Sequence, residues 1–101
     1  VLSVEADGNG PPTGLTVRND GLTFDELQST LLEDETTFGL EQKSVASFLR
    51  AAPHAEERGT DVRRSIRASV VQEPEWLEVS PRMHHEGTDH MINYRIGWPA
   101  P

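Results

Sequence analysis

The sequence predicts a small α+β domain in the order helix, short strand, helix, helix, β-hairpin. Three observations carry that reading. A capped helical stripe begins at Thr23, a second stripe is closed by Pro53, and a period-two apolar pattern runs through Ile92, Tyr94, Ile96 and Trp98. The 101 residues suffice for one domain with a single modest core.

Thr23 followed three residues later by Glu26 is a capping box, with Leu22 and Leu27 placed as its hydrophobic staple. Phe24, Leu27 and Leu31 share one face, which predicts a helix over 23–34. Asp25 and Glu26 favour the positive end of its dipole. Glu33, Asp34 and Glu35 crowd the negative end and predict early fraying. Thr36 to Phe38 then reads as a short extended piece, and Gly39 as a turn. Val45, Phe48, Leu49 and Ala52 fall on one face and predict a helix over 40–52, with His54 to Gly59 a polar loop.

The stretch 60–71 supports two patterns. Val62, Ile66 and Val70 recur every four residues, whereas Val62, Arg64, Ile66, Ala68 and Val70 also alternate with Arg63, Ser65, Arg67 and Ser69. Thr60-Asp61 is a helix start signal, and no β-branched residues are adjacent before Val70-Val71, so a third helix is expected over 60–71. Trp76 to Val79 and Ile92 to Trp98 predict the hairpin, joined through a tip at Glu86 to Asp89. Val62, Ile66, Phe48, Leu49, Leu27, Leu31, Trp76 and Ile96 are the expected core. Residues 1–21 read as an N-terminal extension or small hairpin, with turn chemistry from Asp7 to Gly14, and 22–101 as the folded domain.

Charge is unevenly distributed. The formal net charge is −8, and Asp25, Glu26, Glu33, Asp34, Glu35 and Glu41 lie in a segment without Lys or Arg. From Arg58 to Val71 the sign reverses, with Arg58, Arg63, Arg64 and Arg67 against Asp61 alone. No apolar run approaches the ~18–20 residues of a membrane span. No charged-then-apolar leader opens the chain, so an intracellular location, cytoplasmic or nucleoid, is expected. The absence of cysteine excludes disulfide and thiolate chemistry.

The order of elements, together with Phe48-Leu49-Arg50-Ala51-Ala52-Pro53 and the later Ser65-Ile66-Arg67, resembles the winged-helix domains of the forkhead or restriction-enzyme-associated type. Glu75 to Val79 resembles the first wing strand of that family, and Asn93-Tyr94-Arg95-Ile96 the closing one. The resemblance covers about 23–98. It implies three helices, a short strand after the first, a C-terminal two-stranded wing, and a non-catalytic module that presents helix 60–71 to the major groove of double-stranded DNA. Carried over by position, Arg64, Ser65, Arg67 and Ala68 face the groove. Arg58 and Arg63 lie nearer the phosphates, and Arg82, His84 and His85 on the wing reach the adjacent backbone. Arg64 and Ala68 stand where forkhead proteins usually have Asn and His, so the forkhead base preference does not transfer. An arginine at 64 can instead read guanine through O6 and N7. The alternative is an acidic winged-helix protein-interaction or assembly module that uses helix 23–35, with the arginines solvated or paired to that helix.

His84, His85 and His90 with Glu86 and Asp89 are zinc-capable donors, but their spacing matches no zinc signature. Strand alternation would also send His84 and His85 to opposite faces. No metal, cofactor or catalytic residue is therefore expected, and the chain contains no nucleophile elbow or phosphate-cradling glycine loop.

Overall fold

The computed structural model describes residues 2–6, 14–71, 75–86 and 89–98. The turn expected over 7–14 falls outside them except for Gly14, as does the tip at Gly87-Thr88. The elements are β1 (Leu2–Ala6), β2 (Gly14–Leu22), α1 (Phe24–Phe38), α2 (Gln42–Ala51), α3 (Ala55–Arg58), β3 (Val62–Arg63), β4 (Ile66–Arg67), β5 (Trp76–Met83) and β6 (His90–Gly97). A 3-10 turn over Ala52–His54, with Pro53 inside it, joins α2 to α3.

The winged-helix arrangement is overturned. The domain is α+β, but its six strands form one antiparallel sheet in the order β1-β2-β6-β5-β3, with β4 also paired to β5. The pair β5 and β6 forms the centre of this sheet and is not a terminal two-stranded wing. Trp76 faces Gly97 and Arg82 faces Met91 across it.

The expected helix over 60–71 is also corrected. This stretch lies along the edge of β5, with Val62 opposite Met83, Arg63 opposite Arg82, Ile66 opposite Val79 and Arg67 opposite Glu78. The Arg64 amide donates to the Pro81 carbonyl at 3.2 Å, and the Ala68 amide to that of Leu77 at 2.9 Å. Val62, Ile66 and Ala68 are buried while Arg63, Ser65 and Arg67 are exposed. The physical reason lies in the alternation. A helix would have left Ala68 on the face opposite Val62 and Ile66, whereas pairing with β5 buries all three and satisfies backbone groups together.

Helix α1 begins as expected. The Thr23 hydroxyl accepts from the Glu26 amide, and the Glu26 carboxylate accepts from the Thr23 amide at 3.0 Å. That bond holds the Glu26 carboxyl below its ordinary pKa. The helix does not fray after Asp34 but continues to Phe38, so Thr36 to Phe38 is helical and not extended. Gly39 closes it in the left-handed region at φ 65°. Two contacts hold this last turn. Asp34 is buried and accepts the Tyr94 hydroxyl, and the Phe38 ring meets that of Tyr94 edge-on at 6.2 Å. Burial raises the pKa of Asp34, and burial and then Asp34 raise that of Tyr94.

The core lies between the helices and one sheet face. It joins Leu27 and Leu31 of α1 and Val45 and Phe48 of α2 to Val62, Ile66, Leu77, Val79 and Ile92 of the sheet. Leu49 and Ile96 are partly buried against it. Trp76 is not a core residue: it is half-buried, in register with Gly97, on the other side of the sheet from Leu77.

Candidate anion-binding sheet face

Antiparallel register places paired residues on a common face. One row across the sheet is Thr16, Arg95, Glu78 and Arg67; the next is Arg18, Asn93 and Ser80; and Arg63 pairs with Arg82. These positions alternate with the buried Leu77, Val79, Ile92 and Ile66, so they occupy the face that no helix among the described residues covers. An open cleft of about 540 Å³ on this face is lined by Arg63, Ser65, Glu78, Ser80, Asn93 and Arg95 among others, and by no helical residue.

The face is strongly cationic. It carries Arg18, Arg63, Arg67, Arg82 and Arg95, against Glu78 in register with Arg67 and Arg95 and Asp61, which pairs with Arg82 at 2.7 Å. Arg18 Nε donates to Asn93 Oδ1 at 3.3 Å. Arg63 has no side-chain partner among the described residues. The Ser65 hydroxyl donates to Glu78, and Arg67 and Arg95 lie against the Trp76 ring. Their guanidinium carbons lie 5.9 and 5.8 Å from the centroid of the Trp76 ring. That ring lies across Gly97, where a Cβ would strike the indole. Glycine at 97 is thus what lets the ring settle onto the neighbouring strand.

The positions selected from sequence divide between the open face, the helix side and the segment after β5, with Arg82 joining the first to the last. Arg63, Ser65, Arg67 and Arg82 lie on the open face, where strand pleat brings them together. Arg58 and Ala68 do not join them, and Arg64 lines the open cleft but directs its guanidinium elsewhere. The Arg64 guanidinium turns to the helix side, donating to Ser47 Oγ at 3.2 Å and to the Arg63 carbonyl at 2.8 Å. It lines a separate cleft with Arg50, His54 and Arg58. Ala68 is buried and bridges to Leu40. The major-groove roles assigned to these residues required a helix over 60–71 and lapse with it. Arg18, Arg95 and Trp76 belong to the site but were missed. Arg95 and Asn93 are out of phase with Ile92, Tyr94 and Ile96, and that phase was the available signal for Arg95.

Arg82, His84 and His85 converge on Asp61. Its carboxylate accepts from Arg82 Nη2 at 2.7 Å and from the His85 amide at 3.2 Å. The His85 and His84 Nδ1 atoms lie 2.8 and 3.2 Å from it. The two histidines do not diverge because β5 ends at Met83, before the pleat applies to them. Arg82, and then His85, hold the Asp61 carboxyl well below the usual carboxylate range, and Asp61 raises the pKa of His85. The buried His90 accepts the His84 amide on Nδ1 at 3.2 Å, and burial lowers its pKa. Among the described residues no group of three or more His, Asp or Glu is arranged to hold a metal ion.

This cluster predicts a pH signature. His85, raised by folding, stabilises the fold below its unfolded pKa of about 6.5, and that share is lost as pH rises through its folded value. Asp61, lowered by folding, contributes above about pH 3.9 and loses its share as pH falls through the folded value. Asp61→Asn should therefore lower the melting temperature more at about pH 5.5 than at about pH 9, where the Arg82 and His85 amide shares remain but the charged imidazole share is gone. An equal drop at both values, in paired thermal melts, would remove His85 from the account.

No helix among the described residues is long and apolar enough to cross a membrane. No family model, curated protein or solved structure matches the chain.

Proposed function

We propose that the chain is a non-catalytic nucleic-acid-binding module that contacts the phosphate backbone through the open face of its sheet. One observation carries the reading: five arginines from β2, β3, β4, β5 and β6, of which Arg82 is paired with Asp61, share a face that no described helix covers in a chain whose net charge is −8. The acidic residues of α1 are sequestered elsewhere. Asp25, Glu26 and Glu33 are exposed on the helix, which packs on the opposite side of the sheet. Net charge therefore understates the local field that an approaching polyanion meets.

Arg63, exposed and unpartnered among the described residues, is the cleanest probe of phosphate contact. Affinity for a polyanion falls with salt because each neutralised phosphate releases condensed counterions. Arg63→Ala should reduce the slope of log affinity against log salt by about 0.7–0.9 and weaken binding to all sequences alike. The measurement is fluorescence anisotropy of a labelled oligonucleotide over a salt series. Absence of binding at about 50 mM salt, with the fold intact by circular dichroism, decides against the reading.

A further inference from the structure

We infer that the open face takes a single strand, with an unpaired base stacked at Trp76 and the flanking phosphates on Arg67 and Arg95. The inference rests on the nucleic-acid reading above and narrows it to one class of ligand.

The width of the sheet favours a single strand. The arginine-bearing strands β2, β6, β5 and β3 span three strand spacings, about 14 Å at roughly 4.8 Å each. A duplex major groove is about 12 Å wide and admits a helix or a two-stranded ribbon. This sheet carries β1 beyond β2 and so extends further still. It cannot enter a groove, whereas a single strand can lie across it.

The aromatic ring favours it too. Trp76 is half-buried on the charged face, seated on Gly97 and flanked by two guanidinium groups. A large apolar ring gains more from burial in the core, where Trp76 was expected, than from a cationic surface. A base that replaces the guanidinium groups over the ring would stack there while Arg67 and Arg95 swing to the phosphates on either side. Bases in a duplex have their faces occupied by neighbouring pairs; only an unpaired base offers a free π-face. Such stacking tolerates every base, so little sequence preference is expected.

The test compares three probes on the intact chain: a 15-nucleotide oligo-dT, a duplex of equal length, and inorganic polyphosphate. Quenching is read in a Trp98→Phe background so that Trp76 alone reports. Oligo-dT should bind more tightly than the duplex and quench the fluorescence. Trp76→Leu should weaken oligo-dT binding about 10- to 100-fold while leaving polyphosphate unchanged, and Trp76→Phe should recover most of the loss. Polyphosphate binding also shows that the substituted sheet is intact. Equal affinity for duplex and oligo-dT, with Trp76→Leu neutral, overturns the single-strand inference and leaves the broader nucleic-acid reading standing. Failure of all three probes to bind the unsubstituted chain overturns both.

Discussion

Phe48→Ala is expected to destabilise the domain by about 3–5 kcal/mol, the range for removing a buried phenyl ring. Phe48 has no exposed surface and shares a core with Leu27, Leu31, Val79 and Ile92. It is the largest fully buried side chain, and α2 and the sheet both lean on the volume it fills. A domain of this size has roughly 5–15 kcal/mol in total, so the substitution removes a large share. The midpoint of urea unfolding should fall with an unchanged slope, and the melting temperature by roughly 12 °C or more. Phe48→Leu should recover much of the loss by refilling the space with an apolar side chain. A cost under about 1 kcal/mol would mean that α2 does not pack on the sheet as described.

The second large effect concerns binding. Reversing Arg63 and Arg95 together to Glu should weaken polyanion binding on the order of a hundredfold or more at about 50 mM salt. Both side chains are exposed on strands whose opposite face forms the core, so the fold should survive the exchange. Each change removes a phosphate contact and adds a repulsion at the same point. The control lies on the other side of the molecule. Asp25→Lys with Glu33→Lys should strengthen binding only modestly and mainly at low salt, because the Debye length is about 10 Å at 0.1 M. If the acidic helix is instead the working surface, the pattern inverts. The lysine changes would then abolish a protein contact, and the sheet reversals would do little.

The sequence alone determined where the strong local signals stood. The capping box at Thr23, the stripe from Val45 to Ala52 and the alternation of Ile92, Tyr94 and Ile96 each depend on residues within a few positions, and each appears in the fold. Pro53, by contrast, does not end the helical run but sits in a 3-10 turn that leads into α3. Core membership of Leu27, Leu31, Phe48, Val62 and Ile66 was legible for the same reason: apolar side chains are buried whether their segment is helix or strand. Part of the site was legible too. Arg63, Ser65, Arg67 and Arg82 were identifiable as exposed polar residues, although their shared face was not.

What the tertiary structure decided was everything that depends on a distant partner. Stretch 60–71 satisfied two periodicities, and only the edge of β5 selected the strand, by accepting its amides and covering Val62 and Ile66. The last turn of α1 is locally unfavourable at Glu33 to Glu35 and is held by Tyr94, about sixty positions away. Trp76 left the expected core because pairing with β6 set its phase opposite to Leu77, and Gly97 made room for the ring. The charged face exists only because register places Arg18, Arg95, Arg67 and Arg63, from separate strands, side by side. Local spacing fixes which residues can share a face within one element; strand pairing alone fixes which faces meet.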